Sequence, residues 1–197
     1  MRSTILLAVV LAACSPRNPI ESGDDTVVSQ DPCETLENSW PAFPTAYAGY
    51  EGGASATAGV LLPNFKSVDQ FGEEVCLSQF LGQILIFDAA TRWCGPCAEA
   101  AAGSMALLEE LNAIAPTQII TLMAQNFQAQ NPTVDDAAWW AETYGLDYPV
   151  VVDLGQEITS EWEITGFPTF FYVAPNGMLV ERIERKPEDA EIRDFVA

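Results

Sequence analysis

The sequence predicts an α/β fold, a mixed central sheet flanked by helices and preceded by an N-terminal lead-in hairpin. Three observations carry that prediction. Strand-like apolar runs alternate with helix-like segments from residue 84 to residue 152. The runs are continuous rather than alternating, as in strands buried on both faces. An Asn176-Gly177 pair near the end signals a tight hairpin, which adds antiparallel strands to an otherwise parallel arrangement.

In chain order, Phe65-Lys66-Ser67-Val68-Asp69 and Glu74-Val75-Cys76-Leu77 read as the hairpin, with Gln70-Phe71-Gly72 in its turn. Ile84-Leu85-Ile86-Phe87 reads as a central strand. From Pro96 to about Ala113 the spacing of Ala98, Ala101, Met105, Leu108, Leu111 and Asn112 predicts a helix, among alanine, leucine and glutamate that favour one. Gln118 to Ala124 is a second buried strand, and Val134 to Tyr144 a second helix ending on Gly145. Tyr148 to Val152, Thr169 to Val173 and Met178 to Ile183 are strands, and 187–196 is a last helix with Pro187 in its first turn. Trp139 and Trp140 are adjacent, so only one of them can face a core.

At 197 residues the chain can bury one good core and has no room for two of ordinary size. A formal charge of −20, from 28 acidic and 8 basic residues, argues against nucleic acid or an anionic lipid surface as partner and leaves basic or neutral ones. The sequence has no histidine, which removes His-based metal sites and Ser-His or Cys-His catalysis. Met1-Arg2 and the apolar stretch Ile5 to Ala13 have the form of a secretory signal and are too short to span a bilayer. The stretch ends in Leu11-Ala12-Ala13-Cys14, which resembles the bacterial lipobox. That resemblance implies lipidation of Cys14, cleavage before it and anchoring of the chain to a membrane. Ser15 follows where an aspartate would signal inner-membrane retention, so the outer membrane is favoured in a Gram-negative cell. The expected organisation is a signal peptide over 1–13, an acidic tether rich in Pro, Gly, Ser and Ala over 14–58, and a domain over 59–197. Within the tether, Trp40 to Tyr47 either docks on the domain or stiffens a spacer.

Cys94 and Cys97 stand at the end of a buried strand and the start of a helix, in the run Trp93-Cys94-Gly95-Pro96-Cys97. Unsatisfied N–H groups and the helix dipole favour a thiolate there. Such cysteines titrate at about 3.5–7.5 against about 8.5 for a free thiol. Cys94 is therefore the candidate nucleophile, and Cys97, within the first turn, the resolving thiol that releases the reduced partner. The competing readings of the pair are a structural disulfide, a chance spacing and half of a zinc site, which would need Cys33 and Cys76 as its other ligands.

The run resembles the thioredoxin active site, and the layout of residues 60–197 is similar to the TlpA and ResA-like envelope branch of that superfamily. Asn64-Phe65, Gly72, Leu77 and Gly82-Gln83 resemble its lead-in hairpin, and Gly166-Phe167-Pro168-Thr169 its cis-proline loop. The resemblance implies that Trp93, Phe167 and Pro168 contact a substrate strand and that Asp88 helps move the proton of the resolving thiol. Asp88 could instead cap a strand end. Thioredoxin keeps a lysine near that carboxylate, yet residues 118–130 contain neither lysine nor arginine. Ala89 and Ala90 replace the usual aromatics, and Arg92 either stabilises the thiolate or is a plain surface arginine. With Cys14 lipidated, Cys33 and Cys76 either form a structural disulfide, which an exported chain favours, or remain thiols.

The expected function is a membrane-tethered thiol-disulfide oxidoreductase that reduces disulfides of exported proteins in the bacterial envelope, facing the periplasm or the exterior. It needs no metal and no cofactor beyond the dithiol, and it draws electrons from a membrane thiol donor. The Gly-Pro pair resembles reducing thioredoxins, at about −270 mV against about −120 mV for the oxidant DsbA. The alternatives are a disulfide oxidase or isomerase, a peroxiredoxin-like thiol peroxidase, for which Thr91 has the required spacing before Cys94, and a non-catalytic binding module.

Overall fold

The computed structural model of the chain describes residues 33, 36–41 and 50–197. The expected signal peptide, Cys14 and most of the expected tether, including Phe43 to Tyr47, lie outside the described residues. A seven-stranded sheet organises the described chain. Its strands are β1 (Lys66–Val68), β2 (Glu74–Cys76), β3 (Ile84–Thr91), β4 (Thr117–Gln125), β5 (Val150–Val152), β6 (Thr169–Val173) and β7 (Leu179–Ile183), in the order β2-β1-β5-β4-β3-β6-β7. β3, β4 and β5 are parallel, while β6 and β7 run antiparallel beyond β3 and the β1–β2 hairpin closes the other edge.

β3 is central because Leu85 to Thr91 are buried on both faces, leaving no side for water. One face packs against α1 (Gly95–Asn112), α2 (Val134–Tyr144) and α4 (Asp189–Val196), through Ile86, Ala90, Met123 and Tyr172. The other packs Leu85, Phe87 and Ala89 against α3 (Glu157–Glu161), the Leu77–Phe80 turn and an N-terminal arm. Phe65, Phe87, Phe171 and Trp162 meet there with edge or tilted geometry, the arrangement that the ring quadrupoles favour. α2 has the predicted bounds, and Gly145 ends it at φ +64°, a conformation that strains any residue with a Cβ. Trp140 is the tryptophan that faces the core; Trp139 is 40% exposed.

Several local expectations are corrected. The buried stripe of α1 is Cys97, Ala101, Ser104, Leu107 and Leu111, not one through Ala98, Met105, Leu108 and Asn112. Ala98, Met105 and Leu108 flank the stripe half-buried, and Asn112 instead caps the loop, accepting from the Thr117 N–H (3.0 Å). α4 starts at Asp189, so Pro187 precedes the helix rather than lying in its first turn. The Glu188 N–H donates to Glu191 Oε2 (2.8 Å) and fixes that start. Packing also begins before residue 59. The Tyr50 hydroxyl donates to the Leu62 carbonyl (2.5 Å) and lies 3.2 Å from that of Gly177, and Gly52 bridges to Pro63. Further upstream, Trp40 docks: its Nε1 donates to Asp69 Oδ2 (2.5 Å) and its ring stacks on Phe71. Among the described residues, no helix is long and apolar enough to cross a membrane.

Candidate active site

Three chain segments meet at one end of the sheet. β3 delivers Arg92, Trp93 and Cys94 past its C-terminal end, where α1 begins. β4, parallel to it, ends on Gln125. β6 runs the opposite way and begins there: its Thr169 pairs with Ala89, which puts Pro168 one residue further toward the cysteines. Ligand sites of open α/β sheets gather at such strand ends.

Cys94 is the N-cap of α1 and is joined to Cys97 by a disulfide, with Cα atoms 5.3 Å apart. The Cys97 backbone N–H donates to Cys94 Sγ (3.2 Å). It is one of the donors that a helix start leaves without an intrahelical acceptor, so the arrangement favours negative charge on that sulfur. Pro96 occupies the start of the helix, where its missing N–H leaves nothing unsatisfied. Both cysteines are buried, Cys97 at 0% and Cys94 at 5% exposure, and Cys94 lies beside exposed Gly95 and Pro96.

Trp93 ties the segments together. It is 47% exposed, its Nε1 donates to Gln125 Oε1 (3.1 Å), and its ring meets Phe167 edge-on at 6.2 Å. The Phe167–Pro168 peptide is cis. Gln125 also accepts from the Arg92 N–H on its backbone oxygen (3.1 Å). Sequence reasoning missed Gln125; the available signal was its position at the C-terminal end of the strand parallel to β3.

Arg92 is not a plain surface arginine. Its Nη1 donates to Asp136 Oδ1 at 2.6 Å, and its guanidinium lies 4.0 Å from the centre of the Trp139 ring. Asp136 uses its other oxygen to accept from the Thr133 N–H (2.9 Å) at the start of α2. Burial pushes the Asp136 carboxyl up, but the hydrogen bonds from Arg92 and Thr133 outweigh it and hold the group below the usual range. The Arg92 charge is therefore neutralised by a partner 44 residues away. The Thr91 hydroxyl is buried and makes no hydrogen bond, to Cys94 or to any other described group.

Asp88 lies on the face of β3 that packs against α1, in register with Ile86 and Ala90. It is fully buried, its Oδ1 has no hydrogen-bond partner, and burial pushes its carboxyl up to about 7. A group at that value can take and give a proton near neutrality. Cys33 and Cys76 are joined to each other across 43 residues, so neither is available as a ligand beside Cys94 and Cys97. Among the described residues, no group of three or more Cys, Asp or Glu could hold a metal ion.

The sequence profile of the redoxin family matches residues 57–196. The thiol-disulfide oxidoreductase ResA of Geobacillus kaustophilus is 28% identical over 134 residues, 68% of this chain and 73% of that one. ResA of Bacillus subtilis is 23% identical over 149 residues, 76% of this chain and 79% of its own. Among solved structures, the thioredoxin domain of a thiol-disulfide oxidoreductase from Bacteroides vulgatus superposes with a TM-score of 0.60 at 19% identity, covering 72% of this chain and 99% of that domain.

Proposed function

The chain belongs to the redoxin family, as a ResA-like thiol-disulfide oxidoreductase with the thioredoxin fold, and from that premise we propose that it reduces disulfides of exported proteins in the bacterial envelope. The observation that carries the chemistry is the Cys97 N–H pointing at Cys94 Sγ at the start of α1. A thiolate at Cys94 attacks one sulfur of a substrate disulfide; the substrate S–S bond breaks, the other sulfur leaves as a thiolate that water protonates, and a mixed disulfide remains. Cys97 then gives its proton to the Asp88 carboxylate and attacks Cys94 Sγ, the Cys94–Cys97 bond forms, and the second substrate sulfur leaves as a thiolate that is protonated by water. The dithiol is oxidised by two electrons and the substrate disulfide is reduced by two. No cofactor is called for, and a membrane thiol donor returns the electrons.

The exposed edge of Trp93, with Phe167 and Pro168, offers the surface for the substrate strand. Lipidation at Cys14 tethers the domain to a membrane, with the outer membrane favoured in a Gram-negative cell. The peroxidase reading loses support because the Thr91 hydroxyl does not engage the cysteine sulfur. The direction of electron flow is tested by equilibrating the Cys94/Cys97 pair against glutathione and dithiothreitol buffers. A potential of about −270 mV is expected, and one of about −120 mV would make the protein an oxidant.

A further inference from the structure

Asp88 is buried on the α1 face of β3, and its Oδ1 has no hydrogen-bond partner. It lies on the floor of a cleft of about 130 Å³ that runs between α1 and α4 to the surface. At its inner end the Tyr148 hydroxyl donates to Ser104 Oγ (2.8 Å), and Ser104 donates onward to the Ala101 carbonyl (2.8 Å). Burial pushes Tyr148 up to about 12; its bond to Ser104 works against that push, and the charge of nearby Asp88 adds to it. At the outer end stand Glu99 and Asp189 with Lys186. Among the described residues, Lys186 is the one basic side chain without a carboxylate in ion-pair range, since Lys66, Arg92, Arg182, Arg185 and Arg193 are all paired.

Two features say that this space is used. The buried Asp88 Oδ1 has no partner in the protein, and the cleft, apolar over most of its lining but carrying Asp88, Ser104 and Tyr148 along one path, has room for water, about 10–15 Å³ of such space being enough for one molecule. Gly103 sits in the middle of α1, where alanine is the better helix former. A Cβ there would meet nothing within 4 Å, so no close contact demands glycine. Its effect is to leave the cleft open.

We propose that the α1–α4 cleft is the route by which Asp88 exchanges protons with solvent during the resolving step, kept open by Gly103 and lined at its inner end by Tyr148 and Ser104. This rests on the reading of Asp88 as the base for Cys97. The proton that Asp88 takes from Cys97 passes to cleft water and out between Glu99, Asp189 and Lys186. Asp88 is then ready for the next turnover without crossing the face covered by bound substrate.

The test is the resolution rate of the full chain, followed by tryptophan fluorescence after mixing the reduced protein with a small disulfide between pH 5 and 9. Gly103→Leu, which fills the cleft, should slow resolution by about tenfold and move the midpoint of its pH profile upward. Gly103→Ala should fall between wild type and leucine. Alkylation of Cys94, which precedes the proton step, should be unchanged in both. Ala100→Leu plugs the same cleft from a neighbouring position and serves if Gly103→Leu does not fold. Folded plugged variants that resolve at the wild-type rate, beside a slow Asp88→Asn, would overturn the route and leave the base in place. An Asp88→Asn variant that resolves like wild type would overturn both.

Discussion

The described residues carry two disulfides in opposite settings. Cys33–Cys76 closes 43 residues, and Cys76 is buried at the end of an edge strand, in register with Lys66. It fastens the segment that also holds Asn38 to Gln79, Ser39 to Glu73 and Trp40 to Asp69. Cys94–Cys97 spans three positions and constrains almost nothing, but one sulfur caps a helix, next in sequence to a half-exposed tryptophan. Sequence separation decides what a disulfide does for stability, and the helix terminus decides what it does for chemistry.

Breaking the two bonds separately should give the largest effects and should separate them cleanly. Cys94→Ser should abolish disulfide reduction, a loss of at least about a thousandfold, with little change in melting temperature. Cys76→Ser should leave most activity and lower stability by about 4 kcal/mol on the chain-entropy account, read as the shift in a denaturant midpoint. A stable but inactive Cys76→Ser would erase the distinction.

Asp88 sharpens the comparison on the catalytic side. Its folded value of about 7 lies above the ordinary 3.8, so the native state binds the proton more tightly than the unfolded chain does. That contribution is fully present below about pH 4 and is lost as pH rises to about 7, with no further loss from this group above that. Asp88→Asn should therefore be more stable than wild type at pH 8, by up to about 4 kcal/mol, and nearly equal to it at pH 4. Urea melts at both pH values check this. A smaller effect is expected from Asp136→Asn, which removes the partner of Arg92. With its charge no longer neutralised, Arg92 should favour the Cys94 thiolate and speed its alkylation at pH 7 by up to about twofold.

The sheet and the dithiol were legible in the sequence because both are local. Ile84–Phe87 are apolar on successive residues, Ile119–Ala124 are apolar but for Thr121, and Trp93 to Cys97 are contiguous. What the sequence hid is held by distant partners. The arm from Tyr50 sits in a Gly- and Ala-rich stretch that reads as tether, yet its hydroxyl reaches Leu62 and Gly177. α3 is five residues long and has little periodicity to read. It is anchored by Asp153, which accepts from the Ile158 and Thr159 N–H groups across the left-handed turn at Gly155 and Gln156. The buried stripe of α1 was misread because Leu107 and Leu108 fit the helical period equally well; the buried Cys97 fixes the phase. The Arg92–Asp136 pair and the cleft behind Asp88 join segments that no spacing rule connects.

The central claim is that Cys94 is the attacking sulfur and Cys97 resolves. Its most direct test is Cys97→Ser expressed in full length in a bacterium that exports it, with mixed disulfides captured by acid quenching. Exported cysteine-containing proteins should be found covalently bound to Cys94 and released by dithiothreitol, and Cys94→Ser should capture none. Capture by Cys94→Ser and not by Cys97→Ser would contradict the account, because it would assign the nucleophile to the sulfur buried behind the helix start.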